Sequence, residues 1–515
     1  MTISRSDATI LALWVLVVGL VAMPLLLNPY LPFEDLPNHI ARRYIATTQG
    51  SALDAYFTFR DAIATNAAVD LAWRIMGPVA GDPVLFSRWT MGFATVGFVL
   101  SVAVLHRMLH GHWSLWPLVS ALLVYNANVL WGFENFVVTA PLGILGLALW
   151  IVTRNAGLAL RLGSTLAVVV ILYLGHVLVL LCYALLVFGY EAGMAWRQAR
   201  VVPRGLNWTG LAVVAGACLV HLALMASEPA PEYGTATRFG TVSDRLQVFM
   251  SPFGSVWAGE MMNALVRQGP YILGGVLLLL VLNRRIEISV RLALSMRMPL
   301  LVLGLVCLLM PMQLSGVYFT HLRFPFILLG VAIAATDPKC AAPWLTGLMV
   351  LLLVALVATR SFILDRAAQT YSSEIADLEA LSAHLPTGAR VLPIVTPAKP
   401  DDTTLQFHTA AYLVPFKEVF VATLFVGGSH SLGIAPQWKA LTAPQPSPVP
   451  VRLLGIAAED WTANLNERWG FVPNWQKKFT HLLVIGKLLP EIEATLPAHR
   501  IASSKNFVLL AVGAE

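Results

Sequence analysis

From Glu34 to Arg43 the chain reads Glu34-Asp35-Leu36-Pro37-Asn38-His39-Ile40-Ala41-Arg42-Arg43. Two carboxylates, an imidazole and two guanidinium groups on so short a stretch are groups that move a proton and hold an anion. Pro37 suits the first turn of a helix, so a helix is predicted to start there and to continue through Ile40, Ala41 and Tyr44. Glu34 and Asp35 then stand at the positive end of its dipole, which favours their ionised forms. His39, Arg42 and Arg43 are spaced three and four residues apart and share one face. A carboxylate base next to a cationic patch suits deprotonation of an acceptor hydroxyl beside a phosphate leaving group. The same residue types also serve as solvated flanks or snorkelling anchors of a membrane helix.

The elements that must position these groups are membrane helices. Of the 515 residues 57% are hydrophobic and 12% are charged, about half the charged share of a soluble domain, and the mean hydropathy is +0.72. Hydrophobic runs recur from Ile10 to Thr359 and are long enough as helices for a hydrocarbon layer of about 30 Å. The first, Ile10 to Leu27, has only Arg5 as its positive flank and no small-residue cleavage site before Glu34, so it is expected to be a retained anchor. The net charge of +6 follows from cytoplasmic arginine and implies no nucleic-acid partner.

Arginine placement threads the chain. Clusters at Arg107, at Arg154 and Arg161, at Arg197, Arg200 and Arg204, at Arg284, Arg285, Arg291 and Arg297, and at Lys339 are assigned to the cytoplasm. The run between Arg161 and Arg197 is too long for one span, so two short helices are predicted to meet near Gly175-His176. Leu115 to Val152 is predicted to form a hairpin turning at Tyr125 to Asn128 and Trp131 to Phe136. The fold expected is a polytopic α-helical membrane protein of about eleven spans, with the N-terminus cytoplasmic and the C-terminus outside. The outer face would then receive the first loop at 28–83, the Glu134 and His176 turns, the Glu228 to Arg267 loop, the His321-Leu322-Arg323 turn and the tail. The boundaries are 1–360 for the transmembrane part, including that first loop, and 361–515 for a soluble extracytoplasmic α/β domain.

In the tail, helical periodicity from Asp365 to His384 leads through Pro386-Thr387-Gly388 into a strand at Arg390 to Val395. Further strands are predicted at Val419 to Val426, His481 to Ile485 and Asn506 to Val512, with a proline-rich loop at Pro444 to Pro450 and a helix at Leu488 to Leu496. No Gly-rich phosphate loop, Cys/His metal spacing or Gly-x-Ser-x-Gly elbow occurs there. Cys182, Cys218, Cys307 and Cys340 lie in or beside membrane segments, so neither disulfides nor a zinc cluster is expected. No fixed repeat and no line of intramembrane acids suggests a transport path.

Glu34-Asp35 just after the first span, a long first outer loop, about eleven spans and an outer C-terminal domain together resemble the GT-C superfamily. Its members are integral membrane glycosyltransferases that use polyprenyl-phosphate sugars and carry a modified Asp-x-Asp motif, often Glu-Asp, in that loop. The resemblance implies Asp35 as general base for the acceptor, with Glu34 as its partner or alternative, and inversion by direct displacement. It implies a polyprenyl-phosphate sugar donor, a lipid, glycan or protein acceptor, and a site at the outer face of the inner (plasma) membrane. Some relatives use a divalent cation, magnesium or manganese, which Glu34 and Asp35 would hold weakly; two ligands define no metal site. Donor phosphate falls to Arg42, Arg43 and His39, to His321 with Arg323, to Arg238 and to His176. Each of these also has a structural reading, as interfacial anchor or satisfied core group. Glu134 with Asn126, Asn128 and Asn135 either binds sugar hydroxyls or caps its hairpin, and Trp131 and Phe133 suit the interface belt. Two other readings fit the same features: a transporter or flippase for lipid-linked glycans, or a scaffold of an envelope-assembly complex.

Overall fold

The computed structural model describes residues 5–48, 50–59, 65–198, 207–227, 237–247, 252, 288–314, 317–396, 407–427, 431–443 and 446–513. The chain divides into two compact units. The first comprises Met1–Leu27, Ala64–Val69 and Trp89–Asp365; the second comprises Asn28–Ile63, Asp70–Arg88 and Arg366–Glu515. Most of the first outer loop, expected with the 1–360 part, therefore groups with the tail, Ala64–Val69 remaining with the first unit, and the first unit runs to Asp365.

The first unit is a helical bundle. Its helices are α1 (Arg5–Leu27), most of α4 (Pro83–His110), α5 (Ala127–Leu130), α6 (Glu134–Thr153), α7 (Leu158–Gly175), α8 (Val177–Gln198), α9 (Trp208–Ser227), α10 (Val242–Gln247), α11 (Arg297–Leu309), α12 (Thr320–Ala335) and the first part of α13 (Pro343–Ser382). Among the described residues six helices are long and apolar enough to cross a membrane, and three apolar helices are shorter. The expected count of about eleven includes segments between 248 and 287 outside the described residues, as are most of the Glu228 to Arg267 loop and His430. Leu11, Val15 and Leu26 of α1 are exposed, as on a lipid-facing helix. This is a multi-pass membrane protein.

The break at His176 is where it was predicted. His176 is extended (φ −162°, ψ 120°) and separates α7 from α8. Gly175 permits close packing, because a Cβ there would strike Thr139 of α6. The hairpin at Leu115 to Val152 differs from expectation. Its first arm is a 3₁₀ helix of 8 residues, Trp116–Leu123, about 16 Å long and too short to span. Pro117 at its start supplies no N–H, and Asn126 begins a new turn by accepting from the Asn128 N–H at 2.7 Å. A second difference is α13. No proline or glycine occurs between Leu348 and Leu385, so the predicted span and the predicted helix from Asp365 are one continuous helix of 40 residues, about 60 Å. Short strands β2 (Ile288–Leu292) and β5 (Thr336–Cys340) pair antiparallel, as do β3 (Gln313–Leu314) and β4 (Val317–Tyr318).

The second unit is α/β. Strands β6 (Arg390–Val395), β7 (Phe420–Val421), β9 (Val449–Pro450), β10 (His481–Ile485), β11 (Ala498–Ser503) and β12 (Phe507–Val512) form a mixed sheet in the order β11-β12-β10-β6-β7, with β9 also on β6. All five residues of β10 are buried, the continuous apolar run of a strand covered on both faces. Gly388 enters β6 at φ +76°, a left-handed conformation that suits glycine. Its N–H donates to Glu418 O at 3.0 Å and its carbonyl accepts from Tyr56 Oη at 2.9 Å. The first loop is woven into this unit. Its strand β1 (Phe57–Phe59) pairs antiparallel with β8 (Leu432–Ile434), and helices α2 (Leu36–Thr47) and α3 (Ala68–Ala80) complete it. The predicted helix at Leu488 to Leu496 is only the short turn Pro490–Glu493.

Candidate functional site

Helix α2 begins at Leu36 with Pro37 in its first turn, and Asp35 is its N-cap residue. The Asp35 carbonyl accepts from the Asn38 and His39 N–H groups at 3.1 and 3.3 Å. Its side chain makes no capping bond and is 18% exposed. Glu34 differs: it is buried, and Oε1 accepts the Phe407 N–H at 2.7 Å. The two adjacent carboxylates therefore have separate duties. Glu34 pins the start of α2 to the tail segment at Phe407, while Asp35 stands half-buried beside it. His408 Nε2 lies 3.7 Å from Asp35 Oδ1. Burial pushes the His408 imidazole down to about 4, so it is neutral near pH 7.

The predicted face of α2 is real, but its cations are spoken for. Arg42 donates through Nη2 to Asp70 Oδ1 at 3.0 Å, and its Nε lies 3.0 Å from Asp70 Oδ2. Arg43 is 1% exposed, donates to Ser87 Oγ, lies 3.9 Å from Asp70 and stacks over Phe86 at 5.3 Å. Arg42 Nη2 also meets His39 Nδ1 at 3.0 Å; a guanidinium only donates, so Nδ1 accepts and His39 carries its proton on Nε2. These contacts form a buried clamp that ties α2 to α3 through Asp70. Asn38 adds to it by accepting from the Phe425 N–H at 3.1 Å.

In the first unit, His176 and Arg323 come together. The Leu178 N–H donates to His176 Nδ1 at 3.1 Å, so the proton of the neutral ring sits on Nε2. Arg323 Nη1 lies 3.4 Å from that Nε2. Donor thus faces donor, an arrangement that an anion between them resolves. Arg323 also lies over the Phe133 ring at 4.4 Å and near Phe136 at 5.8 Å, as cation–π contacts.

His321 and Arg323, expected to form one cluster, both lie in the first turn of α12. They are two residues apart on α12, and side chains at that spacing do not face each other. Arg238 is exposed, and its backbone bridges to Gln313. Glu134 is fully buried and accepts from Thr90 Oγ1 at 2.7 Å. Asn135 accepts from the Val69 N–H and donates to Asn66 O, and Asn128 donates to Leu322 O. These polar groups tie the hairpin to α4, to the Asn66 to Val69 segment and to α12. Trp131 packs on Phe319 with ring centroids 4.7 Å apart.

A divalent cation at Glu34 and Asp35 fits poorly. One Glu34 oxygen is engaged by a backbone amide, and among the described residues no group of three ligands forms there. A magnesium or manganese ion would have Asp35 and the other Glu34 oxygen as its protein ligands, fewer than such ions take from a dedicated site. Sequence reasoning missed Asp70 and the role of His408. Neither is signalled locally, since each acts on α2 from a distant segment. It also missed the run His106, His110, His112, whose spacing was legible.

No protein-family model matches the sequence, and the comparison with curated proteins finds no match. Two solved structures are similar over the whole chain. ArnT from Cupriavidus metallidurans in the apo state shares 12% identity, with 99% of this chain and 100% of that chain covered and a TM-score of 0.52. The same protein bound to undecaprenyl phosphate shares 11% identity, with 99% and 98% covered and a TM-score of 0.50. The arabinofuranosyltransferase AftD from Mycobacteria aligns at 14% identity over 100% of this chain and 40% of its own, with a TM-score of 0.41. The chain shares the overall fold of ArnT.

Proposed function

We propose that this protein is an inverting membrane glycosyltransferase that moves a sugar from a polyprenyl-phosphate donor to a hydroxyl of a lipid, glycan or protein. The observation that carries this reading is the division of labour at Glu34-Asp35: one carboxylate tied to a backbone amide, the other half-buried at a helix start. The fold shared with ArnT supports it, and one of the similar structures holds undecaprenyl phosphate.

In the proposed reaction Asp35 accepts the proton of the acceptor hydroxyl as its oxygen bonds to the anomeric carbon. The bond from that carbon to the phosphate oxygen breaks, and its electron pair leaves on the polyprenyl phosphate. One base is enough, because no covalent sugar intermediate forms. In the first unit by itself, Arg323 and the His176 Nε2–H are proposed to bind an anion of the phosphate class, the guanidinium suiting bidentate contact. The site is assigned to the outer face of the inner (plasma) membrane, with the N-terminus cytoplasmic and the tail extracytoplasmic.

The test is transfer from a mixed pool of radiolabelled polyprenyl-phosphate sugars by protein in nanodiscs, wild type against Asp35→Asn. Loss of a positioned base is expected to cost about 10²–10⁴-fold. Equal transfer by both removes Asp35 from the mechanism, and no transfer by either with any donor favours the flippase or scaffold.

A further inference from the structure

We propose that His106, His112 and Asp337 bind one divalent transition-metal ion of the zinc class, which clips the end of α4 to strand β5. One ligand atom from each residue lies within 4.8 Å of the others. His106 is on the last turn but one of α4, His112 is in the turn that follows, and Asp337 is on β5.

The hydrogen bonds around the cluster settle which atoms face inward. His106 Nδ1 lies 3.2 Å from the Ala334 carbonyl. A carbonyl only accepts, so Nδ1 carries the proton and Nε2 is left as a lone pair. That Nε2 is fully buried and has no hydrogen-bond partner. His112 repeats the pattern: Nδ1 lies 3.2 Å from the Trp113 carbonyl, and Nε2 points its lone pair at Asp337 Oδ2, 3.3 Å away. Two acceptors at that distance repel unless a cation or a proton lies between them. Fixing one ring nitrogen on a carbonyl so that the other is a bare ligand is how metal-binding histidines are oriented. Two imidazoles and a carboxylate are a donor set for zinc, with a position left for water.

The geometry is close to that of a loaded site. Ligands at about 2.0–2.2 Å from a tetrahedral ion stand about 3.4 Å apart, so the cluster must close by about 1 Å. His112 supplies that movement, being 48% exposed in a turn, while Asp337 is 5% exposed and fixed by β5. His110, whose ring centroid is 4.5 Å from that of His106, has a buried Nε2 with no hydrogen-bond partner. It follows His106 by four residues and is the natural fourth ligand. Arg291, opposite Asp337 on β2, is the competing cation. The cluster shares no residue with the proposed chemistry. By the arginine-based threading this end of α4, with Arg107 and Lys339, is cytoplasmic.

The experiment uses full-length protein without an affinity tag, in nanodiscs, stripped with chelator and dialysed against zinc chloride. One zinc per chain by elemental analysis is expected, together with a rise in the thermal transition and, with cobalt(II), the visible bands of a tetrahedral site. His112→Ala and Asp337→Asn should each weaken binding by more than the roughly 10–100-fold that loss of an outer-shell partner costs. His384→Ala, a change at an exposed histidine elsewhere, should bind as wild type. His112→Ala removes a half-exposed side chain, and an unaltered transition without metal confirms that it folds. Less than a tenth of an ion per wild-type chain overturns the proposal, as does binding unchanged in both variants. A protonated His112 paired with Asp337 and no bound metal overturns it equally.

Discussion

Asp70→Asn separates a structural clamp from a phosphate site. Asp70 is 18% exposed and faces Arg42 at 5% and Arg43 at 1% side-chain exposure. Its carboxylate makes two close contacts to Arg42, both at 3.0 Å, and one long contact to Arg43 at 3.9 Å. Charge-assisted bonds contribute about 1.5–3 kcal/mol each, and breaking a buried pair costs about 3–5 kcal/mol. Asparagine keeps one acceptor oxygen and the volume, so Asp70→Asn is expected to cost about 3 kcal/mol and Asp70→Ala about 4–5 kcal/mol. Arg43 retains Ser87 and Phe86, so the loss falls mainly on Arg42. For a unit of this size, 3 kcal/mol lowers the unfolding temperature by about 6–12 °C. The readout is thermal unfolding in detergent, followed by fluorescence of the tryptophans in the second unit. Replacing both partners, as Arg42→Met with Asp70→Leu, should recover most of the loss, because a well-packed apolar pair costs little or nothing relative to a buried ion pair. A shift below about 2 °C for Asp70→Asn would refute the clamp. Arg42 and Arg43 would then return as candidates for donor phosphate.

Glu34→Gln keeps an acceptor for the Phe407 N–H and should retain most transfer activity, whereas Glu34→Ala should lower stability by about 1–3 kcal/mol; activity and melting measured on both variants check this. His408 is neutral when folded, at about 4, against 6.5 when exposed. The unfolded chain therefore takes up this proton first, and stability is constant above about pH 6.5 and falls toward pH 4 by up to about 3 kcal/mol. Asp35, 3.7 Å away, limits that fall, and His408→Gln should flatten the pH profile of the unfolding temperature. Gly189→Ala on α8 would put a Cβ 2.8 Å from the Pro299 Cα of α11; backbone cannot give way as a side chain does, so about 2–3 kcal/mol should be lost. Arg323→Gln should raise the donor KM and reduce kcat, while Arg238→Gln should change neither by more than twofold; steady-state kinetics on nanodisc protein distinguish them.

What was legible in the sequence was whatever one short segment dictates. Pro37 fixed the start of α2, Gly175-His176 divided the bundle helices, and the apolar runs at Arg390 and His481 are strands over the predicted residues. Features made by distant segments were not legible. Nothing near Arg42 points to Asp70, 28 residues on, and nothing near Phe57 points to its strand partner Ile434. Arg360 looked like the end of the hydrophobic part, yet the helix continues because its guanidinium donates to the Tyr125 carbonyl at 2.6 Å and no breaker follows. A charge in an apolar helix marks a boundary only when nothing nearby accepts its hydrogen bonds. His106, His110 and His112 show the reverse error. Their spacing beside Arg107 was readable, and no role was assigned to them from it.

The same contrast explains why Glu34 and Asp35 could not be ranked from sequence. Both are carboxylates next to the start of a helix, and the dipole favours ionisation of either. The distinction comes from the tail. An amide N–H at Phe407 is satisfied by Glu34, and that bond fixes the chain direction into α2. Asp35 is then left at the N-cap with its carbonyl inside the first turn and its side chain outside it. His408, next in sequence after Phe407, is brought to Asp35 by the same contact, and its burial keeps it neutral. A neutral neighbour does not neutralise a base, whereas an imidazolium would. Within the second unit the tail thus does more than cover the loop: it meets both acids, Glu34 through the Phe407 amide and Asp35 through the His408 imidazole. Shortening the tail before Phe407 should therefore abolish transfer even in protein whose bundle still folds, and circular dichroism beside the transfer assay would reveal the two outcomes separately.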